Sequence, residues 1–133
     1  MRKLLFVALP AGLAILLAVQ LVSAFRTRGE ASDARLERAR LKRDFTGHQV
    51  FTVDDVGLKG VKNGALLRAA AEQFDVLITV DRRMFFQQNL AALNLALVIL
   101  IARPNRYPEL KLLVPKALEA LETIKAGEVV KIQ

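Results

Sequence analysis

The sequence has no cysteine and no tryptophan, and its 133 residues include a single histidine. Without cysteine there is no disulfide, thiol nucleophile, iron–sulfur cluster or zinc site built on thiolates, and one histidine excludes a histidine-rich metal centre. Internal repeats are also missing. Because 53% of the residues are hydrophobic, the chain is neither disordered nor collagen-like, and its length predicts one domain with a modest core.

The net charge of +7 is unevenly distributed along the chain. Residues 1–3 carry two basic side chains, residues 26–44 carry seven basic and four acidic ones, and residues 45–133 carry eleven basic and nine acidic ones. A strongly basic protein suggests a nucleic acid or an anionic membrane as its partner. Here the excess belongs to the N-terminal third, so it is better evidence for membrane topology than for binding RNA.

Between the two basic clusters, residues 4–25 form an apolar run without any charge, in which only Gln20 and Ser23 are polar. Such a run can span a hydrocarbon layer about 30 Å thick. More basic residues follow the run than precede it, which favours a cytoplasmic domain anchored to the inner membrane. A secretory signal cleaved near residues 22–24 is a second interpretation. A buried core element is a third, since a proline and a glycine interrupt the run.

Residues 26–44 are polar and rich in arginine, with a few apolar residues among the charges. Opposite charges at helical spacing predict a solvated helix that connects the apolar run to the rest of the chain. Contact of its basic side chains with anionic headgroups is a further expectation.

From residue 45 the pattern alternates between strands and helices. Short β-rich or apolar runs predict strands at residues 49–53, 75–80 and 95–101, and an alternating segment at 128–132 predicts an edge or closing strand. Helices are predicted from Asn63 and, over a longer stretch that ends at Gly127, from Pro108, with a local irregularity at Pro115. The order predicts a small α/β domain with a mainly parallel sheet over residues 45–133.

Ligands of parallel sheets bind beyond the carboxyl ends of the strands, and acidic residues follow two of the predicted strands. Asp54 and Asp55 come after the first strand, and Asp81 comes after the second. Carboxylates that meet at this edge could hold Mg²⁺ or Mn²⁺ and activate water, which makes these three the candidate catalytic residues and Asp81 the candidate metal ligand. The alternative is structural, because aspartates at strand ends commonly cap helices or stabilise turns.

Arg82, Gln88 and Asn89 are the candidate substrate-binding residues. The guanidinium group can hold a phosphate, and the side-chain amides offer donors and acceptors to a nucleotide. Amides near the start of a helix also commonly cap it, so a structural role is the alternative.

Four segments of the sequence resemble the PIN-like proteins of bacteria, small and mostly uncharacterised relatives of the toxin ribonucleases of toxin–antitoxin systems. The segments are residues 47–53 (GHQVFTV), 57–67 (GLKGVKNGALL), 77–82 (LITVDR) and 87–90 (QQNL). The resemblance covers residues 41–133 and implies a three-layer α/β domain. It also implies a site where several acids bind Mg²⁺ or Mn²⁺ and direct water at an RNA phosphodiester, with one acid at Asp81.

The other acids of the family pattern are missing. Residues 6–10 keep the family's Leu-Pro but replace both preceding acids by apolar residues, and Ala65 stands where an acid, often Glu, is expected. A shifted placement over residues 32–45 would make Asp33 a displaced remnant. Since a lone Asp81 gives Mg²⁺ a single carboxylate, the sequence predicts weak or absent nuclease activity unless Asp54 and Asp55 contribute.

Three interpretations follow. The first is a metal-dependent ribonuclease that acts on RNA and binds an antitoxin protein. The second is a non-catalytic binding module, anchored to a membrane through residues 4–25. The third is that residues 1–40 come from an altered or wrongly placed start and replace the family's opening strand. A homodimer is an additional expected assembly.

Overall fold

Five short strands form one parallel sheet, and helices cover both of its faces. The structure is a computed structural model that describes residues 13–18, 28–61, 63–82 and 90–133. The strands are β1 (Ala14–Ala18), β2 (Gln49–Thr52), β3 (Val76–Thr79), β4 (Ala96–Leu100) and β5 (Val129–Ile132). Their spatial order is β2-β1-β3-β4-β5, and all four pairings are parallel. The predicted α/β class with a mainly parallel sheet is therefore confirmed.

Strand β1 comes from the middle of the apolar run. It pairs with β2 on one side and with β3 on the other, and its five residues are at most 2% exposed. Five consecutive apolar residues without alternation are typical of a strand that is covered on both faces. Of the run over residues 4–25, only residues 13–18 are described, and the rest lies outside the described residues. The described part of the chain contains no helix long and apolar enough to cross a membrane.

Two side chains hold the first residues of β1 in place. The Leu13 N–H donates to His48 Nδ1 at 3.0 Å, and the Ala14 N–H donates to Asp75 Oδ2 at 2.9 Å. The Asp75 N–H also donates to the Ala14 carbonyl at 2.8 Å. His48, which lies beside Gly47 in the turn before β2, is thus a hydrogen-bond acceptor, and burial lowers the pKa of its imidazole.

The helices are distributed over the two faces of the sheet. They are α1 (Arg28–Asp44), α2 (Asn63–Gln73), α3 (Leu90–Leu93), α4 (Tyr107–Lys111) and α5 (Val114–Leu121). Helices α1, α4 and α5 contribute to one apolar cluster, and α2 and α3 contribute to the other. Although α1 is rich in charge, it packs on the sheet through Leu41, and Phe45 directly after it is also buried.

The C-terminal helical region differs from the prediction of one long helix from Pro108. It consists of α4 and α5, which are separated at residues 112–113, and Leu112 is 77% exposed. Pro115 lies in the first turn of α5. Because proline has no N–H to donate to the carbonyl of Lys111, four residues earlier, a continuous helix would lose a hydrogen bond there. The expected irregularity is therefore a break between two helices.

Candidate functional site at the carboxyl ends of the strands

The strand register brings the carboxyl ends of the first three strands to one edge. Thr52 of β2 lies opposite Leu17 of β1, and Thr79 of β3 lies opposite Ala18. The order of the strands reverses between β1 and β3, which is where parallel sheets of this kind open a crevice for ligands. Asp54 and Asp55 follow β2, whereas Asp81 follows β3. Since β1 separates these two strands, their backbones lie about 10 Å apart.

The Asp54 carboxylate is engaged by α1. Arg38 Nε donates to Asp54 Oδ2 at 2.6 Å, and Arg38 Nη2 donates to Asp54 Oδ1 at 3.0 Å. The side chain of Arg38 is 4% exposed and that of Asp54 is 13% exposed, so this is a largely buried bidentate pair. The hydrogen bonds from Arg38, and then its charge, hold the pKa of Asp54 below its usual value against the opposing effect of burial.

The Asp55 carboxylate stabilises the end of β2. Its Oδ2 accepts from Lys42 Nζ at 2.8 Å and from the Thr52 N–H at 2.9 Å, and its own N–H donates to Thr52 Oγ1 at 3.1 Å. The Lys42 hydrogen bond is the main cause of the lowered pKa of Asp55, and the Thr52 N–H adds to it. Both side chains of the pair are more than a third exposed, at 39% for Lys42 and 38% for Asp55.

Asp81 lies at the reversal point of the sheet and is half-buried. Its N–H donates to Thr79 Oγ1 at 3.1 Å, and the buried Thr79 hydroxyl is 3.5 Å from the Ala18 carbonyl. Arg82 follows in an exposed turn. The other two candidate substrate-binding residues, Gln88 and Asn89, lie outside the described residues.

The acidic residues form two separate groups. Among residues 13–18, 28–61, 63–82 and 90–133, no three His, Asp or Glu side chains lie together as ligands of one metal ion. Asp54 and Asp55 are already bonded to the cations of α1. To bind Mg²⁺ or Mn²⁺ together with Asp81, these two carboxylates would have to give up their hydrogen bonds to Arg38 and Lys42.

A shallow cleft of about 280 Å³ lies between α1 and the end of β2. Three of its lining side chains are cations of α1, and two are the paired aspartates; the lining residues are Arg35, Ala39, Lys42, Arg43, Thr52, Asp54 and Asp55. Unlike Lys42, Arg35 and Arg43 have no ion pair with any residue that the structure describes. We call Arg35 and Arg43 the cationic rim of the cleft. The two aspartates that also line the cleft are neutralised by their ion pairs with α1.

Sequence reasoning did not find the partners of the two aspartates. Arg38 and Asp54 are 16 residues apart, and Lys42 and Asp55 are 13 apart. One signal was present, because Arg38 and Lys42 are four residues apart and so share a helix face, while the two aspartates are adjacent. That spacing fits a helix lying across the end of a strand.

No protein-family profile matches this chain, and searches of curated proteins and of solved structures also found no match. The fold places the protein in the class of parallel α/β proteins with helices on both faces of the sheet. Two ion pairs connect α1 to the end of β2.

Proposed function

We propose that the protein is a PIN-like protein with little or no metal-dependent ribonuclease activity. The observation that supports this most directly is the engagement of Asp54 and Asp55 by Arg38 and Lys42. Those aspartates are the candidates that could complete a cluster with Asp81. With both carboxylates bonded to cations of α1, neither is available to join Asp81 at a metal ion.

Releasing the Asp54 carboxylate for a metal ion would be costly. Arg38 is 4% exposed, so its guanidinium would remain largely buried after losing its pair with Asp54. Removing one partner of a buried ion pair costs about 3–5 kcal/mol. Mg²⁺ dehydrates reluctantly and is usually bound through one or two carboxylates together with substrate phosphates. Binding of Mg²⁺ by the carboxylate of Asp81 would therefore offset little of the free energy lost when the Arg38–Asp54 pair is broken.

A cleavage assay with the full chain tests this proposal. The protein is incubated with a panel of RNAs in Mg²⁺ or Mn²⁺, beside Asp81→Ala and the matched variant Glu122→Ala, which removes an exposed carboxylate on the C-terminal side of α5. We expect no cleavage above background for any of the three. Cleavage by the parent chain and by Glu122→Ala, but not by Asp81→Ala, would establish an active nuclease and overturn the proposal.

A non-catalytic binding module is the second candidate, and the cationic rim of the cleft favours it. Arg35 and Arg43 border the cleft without an ion pair to a described residue. Cations placed in this way can hold an anionic group without any chemistry at the aspartates. RNA and an antitoxin protein are the partners that the resemblance implies, and a second copy of the chain is a further expected partner.

Anchoring through residues 4–25 is a separate part of this second candidate. The same five residues cannot be in a membrane helix and in a strand paired on both sides, so an anchor would require β1 to leave the sheet. Extraction of membranes with alkaline carbonate decides between them. Full-length protein that stays in the pellet supports the anchor, whereas protein released to the supernatant supports β1 as part of the sheet.

A further inference from the structure

The outward face of α1 carries three arginines around one leucine. Arg35, Leu36, Arg40 and Arg43 are all exposed, and Leu36 is 55% exposed. At 3.6 residues per turn, positions 36, 40 and 43 lie on one side of a helix and position 35 lies beside them. We call these four residues the arginine face. At 1.5 Å per residue it extends over about 12 Å.

Two acidic side chains of α1, Glu37 and Asp44, are turned away from this face. Glu37 Oε2 accepts from the Tyr107 N–H at 3.2 Å, and Asp44 Oδ2 accepts from the Tyr107 hydroxyl at 2.7 Å. Both acids therefore point toward α4. Packing against α4 thus places these two acids at the interface, where the Arg40 guanidinium also lies 5.8 Å from the centroid of the Tyr107 ring, while Arg35 and Arg43 are exposed.

Leu36 adds an apolar group at the centre of these charges. Arginine stems are apolar as well, and they can lie along a boundary while the guanidinium groups remain in a polar layer. Guanidinium groups bind phosphate in a bidentate geometry. An exposed helix with cations and an apolar centre fits the surface of an anionic bilayer, where phosphates lie above acyl chains.

We propose that the arginine face attaches the protein to an anionic lipid surface. The three guanidinium groups contact lipid phosphates, and Leu36 enters the boundary between headgroups and acyl chains. This attachment goes beyond the proposed loss of nuclease activity. It shares Arg35 and Arg43 with the cleft of the second candidate but does not involve Asp54, Asp55 or Asp81. Nucleic acid is the less favoured partner, since a phosphate backbone gives an exposed leucine no apolar layer to enter.

The expected attachment is weak and reversible. Each basic residue close to an anionic membrane strengthens binding about fivefold at moderate salt, so three arginines contribute roughly a hundredfold. Screening shortens the reach of these charges as salt is added. One leucine adds little area, and a single attachment signal of this size does not give stable anchoring.

Vesicle co-sedimentation with the full-length chain tests the proposal. One set of vesicles contains equal parts of phosphatidylglycerol and phosphatidylcholine, and the other contains phosphatidylcholine alone. The test variant is Arg35→Gln/Arg40→Gln/Arg43→Gln. The matched control, Arg68→Gln/Arg103→Gln/Lys125→Gln, removes the same charge from exposed positions elsewhere. Leu36→Ser tests the apolar contact.

We expect salt-sensitive binding to the anionic vesicles alone, a loss of roughly a hundredfold in the test variant, and a much smaller loss in the control. Leu36→Ser should weaken binding a few-fold. Equal losses in both triple variants would indicate net charge only, and unchanged binding in the test variant would indicate residues 4–25. Either result overturns the proposal, as does an RNA homopolymer that is bound through the arginine face when vesicles are not.

Discussion

The two ion pairs between α1 and the end of β2 should differ strongly in their effect on stability. Arg38 and Asp54 are 4% and 13% exposed, whereas Lys42 and Asp55 are 39% and 38% exposed. Asp54→Asn removes the carboxylate that pairs with the buried Arg38 guanidinium, and we expect it to lower the free energy of unfolding by about 3 kcal/mol or more. Asp55→Asn should cost no more than about 1 kcal/mol, because water screens that pair.

The reverse truncations sharpen this comparison. Arg38→Met leaves Asp54, which has some access to water, and should cost about 2 kcal/mol. The double variant Arg38→Met/Asp54→Asn should cost clearly less than the sum of the single changes, because neither charge is then left alone. The corresponding changes at Lys42 and Asp55 should be nearly additive.

Urea unfolding followed by circular dichroism measures all six variants. A domain of this size is stable by about 5–15 kcal/mol, so a loss of 3 kcal/mol shifts the midpoint well beyond error. The slope of the transition should stay the same. Two results would show that Asp54 is not held in a buried ion pair. One is a loss of less than about 1 kcal/mol in the free energy of unfolding when each of the two ion pairs is broken in turn, and the other is additivity of the changes at Arg38 and Asp54.

Three further changes test the core, a loop and a pH dependence. Leu16→Ala, at a 0% exposed position of β1, should cost about 2–5 kcal/mol by urea unfolding, whereas Leu112→Ala, at a 77% exposed position, should change stability by less than about 0.5 kcal/mol. Gly57→Ala should cost about 1 kcal/mol, since φ is +72° with open space around the new Cβ, so a neutral result would contradict the backbone argument. Burial lowers the pKa of His48 below 6.5, and a protonated Nδ1 cannot accept the Leu13 N–H. The contribution of His48 to folding stability is therefore fully present above about pH 6.5, and it declines as the pH falls toward the pKa of His48 in the folded protein. In thermal melts between about pH 7 and pH 5, His48→Gln should lose part of this decline, and an unchanged pH profile would show that His48 has no such role.

The sequence predicted most of the sheet because local patterns mark its strands. Residues 49–53, 75–80, 95–101 and 128–132 were expected as strands, and each overlaps an observed one with boundaries shifted by no more than one residue. These runs are short and end at turn residues, which limits where a strand can begin. The break at residues 112–113 was predicted only as a local irregularity at Pro115, because a helical spacing of apolar residues continues across it.

The position of β1 could not be predicted from its own residues. The apolar run over residues 4–25 has no polar residue before Gln20, so many five-residue windows look alike. Contacts distant in sequence select the window. His48 is 35 residues from Leu13, and Asp75 is 61 residues from Ala14. A local pattern contains no information about such pairs.

The ion pairs of the candidate site could not be predicted from local sequence patterns either, and helix α1 shows why. One side of α1 contributes Leu41 to the core and holds Asp54 through Arg38. Another side contacts Tyr107 through two acids, with Arg40 over the Tyr107 ring, and Arg35 and Arg43 are exposed to solvent. From the sequence, residues 26–44 read as a mixed-charge connector, because side chains of both signs alternate along it. In the folded helix these charges point in different directions. The same helix therefore neutralises the aspartates at the edge of the sheet and presents the arginine face to solvent.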